Sequence, residues 1–314
     1  MSPLPALYGA VVGARNALYD RGTLKAHRLR GPVVSIGNLA VGGSGKTPFL
    51  VALGELLKQR GVAFDVLSRG YGRATKGVRL VDPEGPPRDF GDEPLLIARK
   101  LRVPVIVGEN RFKAGLLGEQ RFGPRLHLLD DGFQHRQLAR DFDIVLVTAT
   151  DAQDVLLPIG RLREPLSSLA RADAVVLTNG TQFDGLPLRN QPVWRVFRRS
   201  EPPALDDRCL AFCGIARPNN FFSELSAAGL TLSETRVFRD HHAYTMADVR
   251  ALHRMGQRSG ATAFVTTEKD AINLGPLAAE LAPLHVVPLR LELQNAAEAL
   301  DVMLASIAQR RPPA

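Results

Sequence analysis

Eight consecutive residues, Ala40, Val41, Gly42, Gly43, Ser44, Gly45, Lys46 and Thr47, have the spacing of a loop that cradles phosphate. The pattern is A-x-x-x-x-G-K-T, with Ala where the first Gly usually stands. Glycines let backbone N–H groups converge on phosphate oxygens, and a helix N-terminus adds positive potential. Lys46 is placed to reach the β- and γ-phosphates, and the Thr47 hydroxyl to hold Mg²⁺. An apolar run at 33–37 precedes the loop and a stretch of helical length follows it, which is the context this chemistry requires. ATPases, GTPases and kinases share such a loop, so it implies a nucleotide and not yet a reaction.

A second metal-holding element is expected at the end of another strand. The run "RLHLLDDGFQH" supplies Asp130 and Asp131 there. Guanine-reading proteins of this kind usually carry N-K-x-D late in the chain, whereas the corresponding run here is "LTNGTQFD" (177–184). ATP is therefore expected over GTP. Further polar clusters lie at strand ends or helix starts. "SRGYGR" offers Arg69 and Arg73, "GDEP" puts Asp92 and Glu93 at a helix start, "GENRFKAG" does the same for Arg111, and "FRDHHAY" joins Asp240 to His241 and His242. Arginine suits phosphate through its planar fork. Taken singly, the acidic pair would cap a helix and the histidines would be a surface feature.

These residues need a scaffold that brings strand ends together. The apolar runs 33–37, 64–68, 103–108, 125–130, 142–149 and 174–179 alternate with helical stretches at 46–60, 93–101 and 111–121. That pattern predicts an α/β fold with a parallel sheet and helices on both faces. A Pro- and Arg-rich stretch near 190–207 marks a boundary. A smaller α/β pattern follows, with strands in "CLAFCGI", "TRVFRD" and "AFVTT" and helices near 218–228, 246–259 and 276–281. The runs "VWRVF" and "VVPLRL" flank this smaller unit and can pair as a two-stranded connector. The expected division is 1–192, connector 193–200 with 286–292, smaller domain 203–285, and a last helix within 294–314 returning to the first domain.

The chain has 314 residues and a net charge of +8 from 40 Lys and Arg against 32 Asp and Glu. Excess positive charge suits nucleic acid, an anionic membrane face or phosphorylated substrates. No long basic run or nucleic-acid module is present, so nucleic acid ranks last. The two cysteines, Cys209 and Cys213, lack a histidine pair for zinc and read as idle thiols. No run reaches the ~18 apolar residues of a spanning helix.

Eight motifs in order, "GNLAVGGSGKTP", "SRGYGR", "GDEP", "LDDGFQHR", "GRLREP", "FCGIARP", "RDHHAY" and "TTEKDA", resemble tetraacyldisaccharide 4′-kinase, the lipid A 4′-kinase of Gram-negative bacteria. The likeness runs from residue 5 or so to about residue 292. It implies a membrane-associated P-loop kinase with ATP and Mg²⁺ as cofactors. Such an enzyme transfers the γ-phosphate to the 4′-hydroxyl of a tetraacylated glucosamine disaccharide 1-phosphate, forming lipid IVA at the cytoplasmic face of the inner membrane. The resemblance implies two α/β/α domains joined by a two-stranded linker. It carries the catalytic Asp to Asp92 and its partner His to His241, with His242 as the alternative. It carries the metal and phosphate carboxylates to Asp130, Asp131 and, in "GRLREP", Glu164. Arg73 and Arg111 are the candidates for the substrate 1-phosphate, and Glu268 and Lys269 for closure of the second domain on the nucleotide. On a helix, residues 4–19 gather Leu4, Leu7, Tyr8, Val11, Val12, Leu18 and Tyr19 on one half and Ala and Gly on the other. The small face is expected to pack on protein and the bulky face to meet lipid. The competing classes are a P-loop ATPase or GTPase acting on a protein partner, and a soluble small-molecule kinase.

Overall fold

Apolar runs without polar alternation need cover on both faces of a sheet. Such runs form the centre of the computed structural model, which describes residues 3–178, 185–202 and 208–311. The "NGTQFD" part of the late run (179–184) lies outside them. In chain order the strands are β1 (Val33–Asn38), β2 (Phe64–Ser68), β3 (Arg79–Leu80), β4 (Val105–Val107), β5 (Leu126–Asp130), β6 (Phe142–Val147), β7 (Ala174–Thr178), β8 (Val193–Ser200), β9 (Arg208–Cys213), β10 (Thr231–Val237), β11 (Ala263–Thr267), β12 (Leu284–Val287) and β13 (Leu289–Leu293). The helices are α1 (Leu4–Asp20), α2 (Lys46–Gln59), α3 (Pro87–Phe90), α4 (Asp92–Leu101), α5 (Arg111–Phe122), α6 (Ala149–Ala152), α7 (Pro218–Ala227), α8 (Met246–Ser259), α9 (Glu268–Leu274) and α10 (Ala296–Arg310).

Nine strands form one sheet in the order β13-β8-β7-β6-β1-β5-β2-β4-β3, and β10-β9-β11-β12 form a second. In the large sheet the β3–β4 and β13–β8 pairings are antiparallel. Consecutive residues of β2 serve opposite faces, as strand geometry demands. Val66 joins a core with Leu53 of α2, Leu95 of α4 and Met303 of α10. Leu67 joins Ala114 of α5, Ile106 and Leu129 on the other side. Helices thus cover both faces. The second sheet is parallel throughout. Ala211 of β9 packs with Phe221 and Leu225 of α7, while Leu210 and Phe212 pack with Val249 and Leu252 of α8. Cys209 and Cys213 are buried free thiols.

The register sets the site. Ile36 of β1 lies beside Asp130 of β5, and Leu67 of β2 beside Leu129 of β5. Three neighbouring strands therefore end together, and the segments after them converge at the carboxyl edge, where open α/β sheets bind ligands.

Several elements differ from expectation. The strand expected in "TRVFRD" begins earlier, at Thr231, and ends at Val237. The strand at 142–149 stops at Val147, because Thr148 caps α6 in a reciprocal box with Asp151. "HVVPLRLEL" divides at Pro288, so β12 joins the second sheet and β13 pairs with β8. The helix expected near 276–281 is a 3₁₀ segment, and the α-helix of this region is α9, capped by the Thr267 side chain.

Asp270 of α9 is fully buried and accepts hydrogen bonds from the Gly214 N–H (2.8 Å), the Tyr244 hydroxyl (2.8 Å) and the Thr267 hydroxyl (2.6 Å). It ties "FCGIARP", "RDHHAY" and α9 into one block. Asp270→Ala would leave buried donors without an acceptor. Urea denaturation should show a loss of about 3 kcal/mol; an unchanged midpoint would mean that this block is held by apolar packing alone.

Candidate active site

The phosphate loop follows β1. Gly42 (φ 101°) and Gly45 (φ 86°) adopt left-handed backbone that side chains disfavour. No side chain caps α2, which leaves its first amides for an anion. The Ser44 hydroxyl is buried without a partner. Lys46 Nζ donates to Asn38 Oδ1 at 2.9 Å and lies 3.5 Å from Asp131 Oδ1. A Cβ on Gly43 would stand 3.3 Å from the Ala216 Cβ, so the "FCGIARP" segment of the smaller unit covers the loop. Arg217 of that segment donates to the Thr148 and Thr150 hydroxyls at 3.3 and 3.1 Å.

The two carboxylates after β5 differ in state. Asp131 sits at φ 50°, an uncommon conformation for a non-glycine residue. Its carboxylate takes a two-pronged hydrogen bond from Arg163 (2.8 and 2.9 Å). Burial works against its ionisation, but Lys46 and Arg163 outweigh it and hold its pKa far below the ordinary value. Asp130 is buried and accepts one hydrogen bond, from the Ser68 hydroxyl at 2.9 Å. Burial, with the charges of Glu93 and Asp131, pushes its pKa up to about 7.

Asp92 begins α4, and its side chain is buried against the smaller unit. His241 Nδ1 lies 2.9 and 3.0 Å from its two oxygens, and Asn273 Nδ2 donates to Oδ2 at 3.0 Å. The Glu93 N–H donates to Oδ1 at 2.8 Å. Burial would raise the Asp92 pKa, yet His241, Lys269 and Asn273 together lower it. His241 also has left-handed backbone, φ 57°. His242 turns elsewhere, onto Asp248 at 3.2 Å and against the Phe238 ring. Between the alternatives of the sequence, the geometry therefore brings His241 to Asp92.

Arg111 is buried, donates to the Glu109 carbonyl at 2.8 Å and leaves Nε unpartnered. Burial lowers its pKa, as does the neighbouring Arg69, against the pull of Asp131 and Asp130. His135 is lowered to about 4 by burial and by Arg111, Arg140, Arg15 and Arg69. Arg73 stands in the bend of "SRGYGR". The turn at Gly70 (φ 67°) folds it inward, where Nη2 binds Glu109 and the Gly77 carbonyl, both at 2.7 Å. Arg69, not Arg73, is the arginine of "SRGYGR" that neighbours Arg111.

Glu164 lies in the segment on which α1 docks. It is buried and accepts hydrogen bonds from Asn16 of α1 (2.8 Å) and Arg171 (2.9 Å). Through Asn16 it anchors α1. That helix docks through Tyr8, whose hydroxyl donates to the Arg163 carbonyl at 3.2 Å, and through Asn16. Leu4, Leu7, Val11 and Leu18 are exposed, and so are the small residues Ala6, Ala10 and Ala14. The docking stripe is therefore not the small-residue face expected from the helical projection.

The sequence did not single out Asn38, Ser68, Arg163 or Asn273. Asn38 and Arg163 were inside quoted motifs, without a sign of what they would hold. Asn273 stands four residues after Lys269, the spacing of one helix face, and was legible only once α9 is placed.

A phosphate loop, an adjacent Asp pair of which Asp130 is buried, and an Asp–His pair beside a mostly parallel sheet define a P-loop phosphotransferase. The family model described as tetraacyldisaccharide-1-P 4′-kinase matches residues 1–308. A tetraacyldisaccharide 4′-kinase of Koribacter versatilis is 52% identical over 321 residues, covering 99% of this chain and 100% of that protein. The same-named protein of Chlorobaculum parvum is 39% identical over 303 residues, covering 86% and 82%. The crystal structure of LpxK from Aquifex aeolicus in complex with ATP has a TM-score of 0.79 at 34% identity, covering 97% of this chain and 98% of that one. The chain belongs to the tetraacyldisaccharide 4′-kinase family.

The state of Asp130 has a consequence for stability. Its carboxyl is raised from 3.8 to about 7 in the fold, so across that window the folded chain holds a proton that the unfolded chain has released. Stability attributable to this group is present at low pH and lost as pH rises towards 7. Without nucleotide or metal, Asp130→Asn should therefore gain stability relative to the parent between pH 5 and pH 8, by roughly 1 kcal/mol or more in urea melts. An equal difference at both pH values would show that Asp130 is not held protonated.

Proposed function

We infer that this protein transfers the γ-phosphoryl group of ATP to the 4′-hydroxyl of tetraacyldisaccharide 1-phosphate in lipid A biosynthesis. The observation that carries the reading is one continuous charged cluster. It runs from Lys46 through Asp131 and Asp130 to Glu93 and on, through Lys269, to Asp92 and His241. It links a phosphate cradle to a carboxylate–imidazole pair. In the transfer, the sugar oxygen forms a bond to the γ-phosphorus as the bond to the β,γ-bridging oxygen breaks. ADP leaves with the electron pair, and Asp92 accepts the hydroxyl proton. Asp92 is suited to this because its partners keep it ionised. His241 orients it. Lys46 and the loop amides neutralise charge on the phosphates.

Magnesium fits the donors present. Asp130 is crowded by two like charges, which a divalent cation would relieve, and Mg²⁺ characteristically takes one or two carboxylates with phosphate oxygens and water. Thr47, Asp130 and Asp131 are the residues that would hold it, and it would supply charge neutralisation on the triphosphate. The basic group Arg15, Arg69 and Arg111 suits a substrate that carries a phosphate of its own.

Transfer of label from ATP to lipid from inner membranes tests the activity directly. Asp92→Ala and His241→Ala should each lower kcat on the order of 10²-fold, with nucleotide Kd unchanged. The double variant should be little worse than the poorer single one, since groups acting as a unit are non-additive. Fully multiplicative losses would separate the two residues.

We place the lipid contact on α1, at the cytoplasmic face of the inner membrane. Among the described residues no helix is long and apolar enough to cross a bilayer. Leu7 and Val11 are 64% and 62% exposed on a helix bonded to the Arg163–Glu164 segment. Leu7→Ser with Val11→Ser should reduce co-sedimentation with anionic vesicles and raise KM for vesicle-borne lipid, while kcat on detergent-dispersed lipid stays the same. Unchanged sedimentation would move the contact to another surface.

A further inference from the structure

We propose that Lys269 is a positioning residue for the Asp92–His241 pair: its ammonium directs the imidazole proton to Nδ1, where it is shared with Asp92. The inference rests on the kinase reading above. Lys269 Nζ lies 3.3 Å from His241 Nε2, 3.1 Å from Asp240 Oδ1, 3.4 Å from Glu93 Oε1 and 3.9 Å from Asp92 Oδ2. An ammonium has donors and no acceptor. Beside it, Nε2 is favoured as a lone pair, and the ring's proton then sits on Nδ1, 2.9 Å from Asp92 Oδ2. The tautomer of a histidine is set by what its other nitrogen meets.

The groups facing His241 come from every element around it. Asp92 and, through Lys269, Glu93 belong to α4. Asp240 Oδ2 is 3.9 Å from Nε2, and the Tyr71 ring lies 5.2 Å from the imidazole. Lys269 comes from α9, one residue before the buried Asp270, so its backbone is fixed by that residue's three hydrogen bonds. Burial and Lys269 oppose the imidazolium, while Asp92 and Asp240 favour it and on balance raise the pKa of His241 above its ordinary value. Lys269 thus limits how readily the ring takes a second proton. With Nε2 turned to the ammonium, the imidazole is an orienting donor to Asp92, and the carboxylate alone receives the substrate proton.

The test uses the full-length protein with ring-¹⁵N-labelled histidine. In the parent, above the titration midpoint of His241, the ring should show a protonated Nδ1 and an unprotonated Nε2. In Lys269→Met the His241 titration midpoint should rise by roughly one pH unit. The acid limb of the kcat profile should move with it, and kcat at neutral pH should fall about tenfold. Lys269→Arg keeps a donor-only cation and should restore the tautomer and much of the rate. A folded Lys269→Met protein with the parent's His241 midpoint overturns the proposal. So does a loss of rate that Lys269→Arg shares in full with no change in the pH profile. The NMR readout needs no turnover. Normal kinase activity in Asp92→Ala would sink the role given to Asp92 while leaving the Lys269–His241 coupling measurable.

Discussion

An ionised carboxylate that leaves water must find hydrogen bonds and opposite charge, at a cost of several kcal/mol if it does not. Asp92 is that carboxylate. Its own helix offers it the Glu93 N–H, and its other partners, His241, Asn273 and Lys269, all come from the smaller unit. Neither sheet alone builds the site. The same seam is pinned by Lys100 of α4 on Glu268 of α9 at 2.6 Å, and Glu268 also accepts the Leu289 N–H at the start of β13. The packing of α9 on α4 therefore makes a helix-start aspartate into a buried carboxylate held in one orientation.

The phosphate loop has its own dependence. Lys46 needs a counter-charge when no phosphate is bound, and Asn38 with Asp131 provides it. Asp131 is held for this by Arg163, and the Arg163 carbonyl receives Tyr8 of α1. The next residue, Glu164, receives Asn16 of the same helix. One short segment thus connects the helix with the exposed leucines to Lys46 of the phosphate loop.

The scaffold was legible in the sequence because its signals are local. Buried parallel strands read as continuous apolar runs, and the A-x-x-x-x-G-K-T spacing announces its turn. The pairing of Asp92 with His241 was not local: 149 positions separate them, and only the eight-motif resemblance joined them. Arg73 and Glu164 show the converse. Both stand in motifs of the right chemistry, yet one is turned inward by the Gly70 bend and the other is taken by Arg171 and Asn16. Residue type does not state direction. Helix α9 was missed because "TTEKDA" was read for charge, although Thr267 with Asp270 three residues on is also a helix start. The face of α1 that docks was misjudged for a related reason. A helical projection ranks side chains by size, but Asn16 and Tyr8 dock by hydrogen bonds.

The two aspartates at the heart of the site carry the same side chain and opposite shifts. Asp92 is surrounded by donors and a cation, which outweigh burial and keep it ionised. Asp130 is equally buried, but its neighbours Glu93 and Asp131 are anions and it has one hydroxyl donor. Environments that drive like groups apart in this way divide their chemical roles. A carboxylate kept ionised can accept a proton from a hydroxyl. A carboxyl held near neutrality by burial and by like charges would release its proton to an arriving cation. Glu93 belongs to both groups, raising Asp130 on one side and binding Lys269 on the other. The charges of Asp92 and Asp130 are in this way coupled through one residue of α4.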